Sequence, residues 1–483
     1  MSSVAPAAAV APASRYRFVA LGVVWCAYLV VFLSRLCVGP LSPFLKSSFH
    51  LSNAQIGGLT SATALAYMPT LMLSGWLADR IGVRRVLIVG TFITGLSVGA
   101  VALAPSYGVM LLLLGCSGFG CGFIYPTAVK AIMTWFPPHE CGTAVGVNQS
   151  AVNISGMLGA AVMPTMALSL GWQSGFVLAS VMAFAICSVA WVLYRDPRPD
   201  ERPVATRDSR AVAAGAYSEF EQGLPAVSEG GSSASADSRT GFVAVLRSRD
   251  ILLLGFAAMF LCMIEFSGLA QLVLFLKADW AYTAVAAGGL LAFCQAAGAI
   301  GKPLSGLVSD RLLGGRRRPA LIALAGLAGA ACVVLALIRP GQTWALWLAL
   351  GLLGVGAVGW GGLFGALAGE TAGPAAAGAA AGVTAAIDNI GIFIGPPLFG
   401  WIVDRTGSYA PAWWTMLGAA VLAAALLGLV HERPRGVAVA RQAQRATGGE
   451  GHGPIIGLDR AGGARPADDY SGCDDRRTTA TRT

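Results

Sequence analysis

Apolar stretches recur along the chain, separated by short polar breaks. A run of about 20 apolar residues, rising 1.5 Å per residue as a helix, crosses the ~30 Å hydrocarbon core of a bilayer. Twelve such spans are predicted, near 18–44, 56–78, 86–104, 108–131, 143–169, 174–194, 250–276, 284–308, 319–338, 343–368, 379–403 and 410–430. A polar stretch over 196–248 divides them into two sets of six. It holds Arg-Asp-Pro-Arg-Pro-Asp-Glu-Arg-Pro and then Ser-Glu-Gly-Gly-Ser-Ser-Ala-Ser-Ala-Asp-Ser, a composition too polar to bury a core. The expected order is a tail over 1–17, a six-helix half over 18–195, a disordered linker over 196–248, a second half over 249–431 and a disordered tail over 432–483.

Composition supports an all-α membrane protein. Of 483 residues, 55% are hydrophobic and 12% charged, with mean hydropathy +0.67. A soluble chain carries roughly 25% charged residues. The net charge of +9 does not point to nucleic acid, because the cations gather in particular loops. Arg80, Arg84 and Arg85 follow span two; Arg195, Arg198 and Arg202 follow span six; Arg311, Arg316, Arg317 and Arg318 follow span eight. That bias puts these loops and both termini in the cytoplasm. The first apolar run is too long for a signal-peptide core and is expected to stay as a helix. The Ala- and Gly-rich composition fits a bacterial inner membrane.

Most of the ten cysteines lie within apolar runs, and none forms a CxxC pair. Neither a disulfide framework nor a metal site is expected. His50, His139, His431 and His452 fall at span ends or in the tail, and there is no nucleotide loop or HExxH. No enzyme activity and no cofactor are expected.

The two halves repeat. Gly75-Trp-Leu-Ala-Asp79-Arg80 matches Gly306-Leu-Val-Ser-Asp310-Arg311 at an offset of 231 residues. Gly115, Gly118 and Gly120 match Gly351, Gly354 and Gly356 at an offset of 236, as do Gly146-Val147, Asn153-Ile154 and Gly159 with Gly382-Val383, Asn389-Ile390 and Gly395. Duplicated six-helix halves imply pseudo-symmetry and a site between them near the membrane midplane.

With these features the chain resembles the major facilitator superfamily over about 18–431. Gly75-Trp76-Leu77-Ala78-Asp79-Arg80-Ile81-Gly82-Val83-Arg84-Arg85 is similar to that superfamily's diagnostic loop. The resemblance implies alternating access, with Asp79, Arg80, Asp310 and Arg311 as cytoplasmic gate residues. A carboxylate such as Asp79 can accept hydrogen bonds from a helix N-terminus in the other half. The first spans look like the organic-anion subgroup, whose relatives carry an Asp-Arg pair in span one, a Tyr in span two and an Asn in span eleven. Here those places hold Ser34-Arg35, Tyr67 and Asn389. Phe123-Ile-Tyr-Pro126 and Trp135-Phe-Pro-Pro138 also fit the subgroup. Two proton-carrying acids of the relatives are replaced, by Ser34 and Cys121.

The remaining chemistry lies in polar residues inside apolar runs. A cation in hydrocarbon costs at least ~2.5–3.5 kcal/mol, so Arg35 reads either as a bidentate anion holder or as a snorkelling or structurally paired cation. Counting back from Asp310 as far as Arg35 lies from Asp79 reaches residue 266, next to Glu265. Glu265 is expected to face Arg35 and to carry a proton, bind a substrate amine or neutralise Arg35. Asp388 is a second coupling candidate. Asn153 and Asn389 either bind substrate or only bond across helices. Lys130, Lys302 and Glu370 lie nearer span ends and read as interfacial. The glycines of spans four and ten read as packing surfaces, and Pro396-Pro397 as a bend in span eleven.

The expectation is a monomeric secondary transporter taking up a small organic anion, a carboxylate first, by symport with a proton or sodium ion. Arg35 would hold the anion, Tyr67 and Asn389 would hydrogen-bond it, with Asn153 also in the site, and Glu265 or Asp388 would carry the proton. The alternative is a proton-driven efflux pump. Drug antiporters of the superfamily usually carry an Arg in span four and a Gly-Pro-x-x-Gly-Gly turn in span five; this chain has neither. A transporter-like sensor is a third class.

Overall fold

A computed structural model of the protein describes residues 15–197, 245–373 and 376–432. The expected linker and both expected tails fall almost wholly outside these residues. The described helices of the first half are α1 Tyr16–Leu36, α2 Val38–Phe49, α3 Asn53–Ile81, α4 Val83–Val101, α5 Tyr107–Trp135, α6 Pro138–Leu170 and α7 Gln173–Leu193. The second half has α8 Arg249–Trp280, α9 Ala284–Arg311, α10 Arg317–Leu337, α11 Thr343–Leu353, α12 Gly361–Ala372, α13 Ala377–Thr406 and α14 Ala410–Leu429.

Eleven segments among the described residues are long and apolar enough to cross a bilayer, with α1–α2 forming one and α11–α12 another. The twelfth expected crossing is α3, 29 residues and so about 43 Å long. Its many Gly, Ser and Thr residues make it less apolar. The even number of crossings returns the chain to the face where it began. That face is called proximal here, and the opposite one distal.

Two spans predicted as unbroken are interrupted. Span one breaks at Cys37, between α1 and α2. Pro40 and Pro43 lack the N–H groups that would bond the carbonyls four residues earlier. The Ser42 hydroxyl makes up one loss by donating to the Gly39 carbonyl at 2.6 Å. Span ten breaks at a π-helical turn, Gly354–Val358, between α11 and α12. Span eleven, by contrast, stays helical through Pro396 and Pro397.

Glycines set the spacing between helices. A Cβ at Gly118 would meet the Thr63 carbonyl, so α5 lies directly on α3. The halves meet along α3 with α13 and α6 with α9. Gly57 lies against the Pro396 backbone and Gly288 against the Ala160 carbonyl. Leu112, Val181, Leu422 and Trp344 are exposed on the outside. An apolar exterior of this kind suits lipid rather than water.

Candidate functional site

Arg35 occupies the last turn of α1, just before the break at Cys37. The C-terminal end of a helix dipole favours a cation there. The side chain is only 5% exposed. Its guanidinium carbon lies 4.3 Å from the centre of the Tyr67 ring, 5.4 Å from that of Phe266 and 5.8 Å from that of Phe32. Aromatic faces attract cations, the more strongly when water is excluded. Rings continue from Phe32 to Tyr28 and Tyr125, at centroid distances of 4.7 and 6.1 Å. Arg35 therefore sits at the head of an aromatic column.

One polar partner comes from the other half. Arg35 Nη2 donates to Asn389 Oδ1 on α13 at 3.5 Å. The Nδ2 of the same amide donates to Asp388 Oδ1 and to the Ala385 carbonyl, both at 2.9 Å. Asp388 and Asn389 are fully buried. The amide thus links a buried cation to a buried carboxylate. Arg35 Nε is also buried and has no hydrogen-bond partner among the described residues. That leaves a donor, with the charge behind it, available to an added acceptor.

The repeat count landed on residue 266, and Phe266 is the α8 residue whose ring lies against Arg35. Glu265, one position away, accepts a hydrogen bond from Trp360 Nε1 at 3.2 Å. Trp360 follows the π turn of span ten, so the break in that span places this donor. At the two positions where the resemblance implies acids, the substitutes bond backbone carbonyls of α1. Ser34 Oγ donates to the Val30 carbonyl at 3.0 Å. Cys121 Sγ donates to the Val31 carbonyl at 3.7 Å.

Asn153 is buried on α6, and its Oδ1 has no partner among the described residues. One turn along, Gly156 faces the side-chain amide of Gln295 from α9. Gln295 is also buried, and its Oε1 has no partner among the described residues. It was not among the expected site residues. The signal was a polar amide inside the apolar run Leu291-Ala-Phe-Cys-Gln295.

The expected gate residues lie at the proximal face. Arg80 is exposed and stacks on Trp76, 4.1 Å from the ring centre. The Asp79 side chain lies outside the described residues. Asp310 is 3.8 Å from Arg317 Nη1, and Arg317 Nε is 3.0 Å from Glu370 Oε1. Arg311 is exposed at the end of α9.

A family model described as Major Facilitator Superfamily matches residues 24–396. A probable sulfoacetate transporter of Cupriavidus necator is 29% identical over 177 residues, 37% of this chain and 40% of the relative. The hexuronate transporter of Bacillus subtilis is 28% identical over 173 residues, 36% and 41% of the two chains. These matches span about two fifths of each relative's length. An uncharacterised transporter of Mycobacterium tuberculosis is 28% identical over 80% of both chains. A bacterial homologue of the human lysosomal transporter Spinster, solved inward-facing and unoccupied, superposes with a TM-score of 0.68 at 18% identity. That superposition covers 86% of this chain and 97% of the homologue, and it speaks for the fold. The family match covers most of the chain and agrees with the helix count, the repeat and the packing of the halves: the chain belongs to the Major Facilitator Superfamily.

Proposed function

We propose that this protein is a secondary transporter that carries a small organic anion across a bacterial inner membrane by alternating access. The observation that carries the reading is Arg35: a buried guanidinium held by aromatic rings and one amide, with Nε unpartnered among the described residues. A carboxylate or sulfonate matches the two-pronged geometry of a guanidinium. The names of the sulfoacetate and hexuronate transporters among the relatives support an anionic cargo.

Coupling runs through Asn389. Through the amide, the Arg35 charge is felt at Asp388. An anion bound at Arg35 offsets that charge, so anion and proton bind together, and by reciprocity each favours the other. Asp388 is the carrier in this reading, Tyr67 and Asn389 shape the anion site, and Asn153 lies on the partner helix of the repeat. Glu265, bonded to Trp360, is the second candidate carrier. The proximal face is cytoplasmic, where Asp79, Arg80, Asp310 and Arg311 act as gate residues, and uptake is the working direction.

Purified protein in proteoliposomes, energised by an inward proton gradient, should accumulate labelled acids from a panel that includes a hexuronate and sulfoacetate. Failure of every acid to accumulate, with amines or neutral drugs moving instead, would contradict an anion site.

A further inference from the structure

The distal face is fastened by a carboxylate outside the expected site residues. Asp404 lies in the last turn of α13. Its Oδ1 accepts the backbone N–H of Asn53 at 2.9 Å and the Asn53 Nδ2 at 2.8 Å. Its Oδ2 accepts the backbone N–H of Ala54 at 2.8 Å. Both amides belong to the first turn of α3, where backbone N–H groups lack partners within the helix and the dipole favours an anion. A carboxylate of one half therefore caps a helix of the other.

The surroundings brace this cap. Lys46 Nζ donates to Asn53 Oδ1 at 2.8 Å, and Gln271 Nε2 donates to the Asn53 carbonyl at 2.9 Å. Gly400, one turn before Asp404, lies so close to the Asn53 backbone that a Cβ would clash. Nearer the centre, Ser61 Oγ donates to the Phe393 carbonyl at 2.5 Å. These contacts run antiparallel along α3 and α13, from the distal face inward.

The same two helices end in the same motif. Gly400-Trp401-Ile402-Val403-Asp404-Arg405-Thr406-Gly407 matches Gly75-Trp76-Leu77-Ala78-Asp79-Arg80-Ile81-Gly82 at five of eight positions. The likeness extends to geometry. Arg405 stacks on Trp401 at 5.7 Å, as Arg80 does on Trp76 at 4.1 Å. In sequence, the α3–α13 pair therefore carries this motif at each end, closing α13 distally and α3 proximally.

We infer that Asp404 is the distal latch of the transport cycle. It holds that face shut by capping α3 and lets go when the face opens. This inference needs no particular substrate.

Hydrogen–deuterium exchange of the full-length protein in lipid nanodiscs tests it, read by mass spectrometry at the peptide holding Asn53 and Ala54. Asp404→Asn should exchange there about tenfold faster than the parent, as expected for a lost charged cap. Asp404→Glu should stay closer to the parent. Lys46→Gln, which loosens the brace and leaves the carboxylate in place, should give a smaller acceleration at the same peptide. Exchange in α4, away from the latch, should not change. Parent-like exchange at Asn53 and Ala54 in Asp404→Asn, or equal acceleration in α4, would overturn the latch.

Discussion

Arg35 and Asn389, from opposite halves, meet at 3.5 Å between Nη2 and Oδ1. The other end of the Asn389 amide holds Asp388 at 2.9 Å. An amide can serve both because it carries an acceptor and a donor. A hydrocarbon side chain in its place would separate the charges. Asn389→Leu should therefore lose cation-driven accumulation and bind the transported anion at least about tenfold more weakly, since hydrogen bonds to charged groups contribute about 1.5–3 kcal/mol. Parallel uptake and equilibrium-binding assays check both effects; parent-like accumulation would remove Asn389 from the relay.

Asp388 is predicted to carry the coupled proton. Asp388→Asn should abolish accumulation against a gradient and keep counterflow exchange, because the anion site remains while the titrating group is gone. Glu265→Gln should still accumulate substrate. The reverse pattern would move the coupling role to the carboxylate beside Trp360.

Tyr67 contributes its ring face, 4.3 Å from the guanidinium carbon. Tyr67→Phe keeps that face and should transport at close to the parent rate. Tyr67→Ala removes it and should raise the half-saturating concentration at least about tenfold, in line with a desolvated cation–π contact of about 2 kcal/mol or more. Equal effects of the two changes would assign the role to the hydroxyl.

Gly118 is a packing prediction with no part in the chemistry. Its position against the Thr63 carbonyl leaves no space for a side chain. Gly118→Val should lower thermal stability, since overpacking costs about 1–3 kcal/mol. Size-exclusion thermal melts in detergent read this directly, and an unchanged melting temperature would contradict the close α3–α5 contact.

The helical membrane fold was legible because a bilayer demands long apolar runs, and the repeat was legible because both halves keep their glycines and Asp-Arg pairs. The break at Cys37 was less visible. It depends on how Pro40, Pro43 and the Ser42 hydroxyl share backbone bonds. Arg35 stood out as a lone charge. Of its surroundings, Tyr67 and Asn389 were expected from the resemblance, whereas the rings of Phe32 and Phe266 were not, because they meet Arg35 only in space. The repeat arithmetic pointed to position 266, whose ring lies on Arg35, beside the acid expected to face it. Side-chain direction changes by about 100° per residue on a helix, so one position separates a ring on Arg35 from a carboxylate bonded to Trp360. Asp404 escaped because it sits at a span end, where charges are ordinary; its contact with Asn53 crosses between halves far apart in sequence.

The central claim is that Arg35 holds the anion. Counterflow exchange of the transported acid in proteoliposomes, normalised to inserted protein, tests it most directly because exchange needs no coupling. Arg35→Ala should show no exchange above empty liposomes, and Arg35→Lys should keep a small fraction, since an ammonium retains the charge without the planar fork. Parent-like exchange in Arg35→Ala would contradict the account.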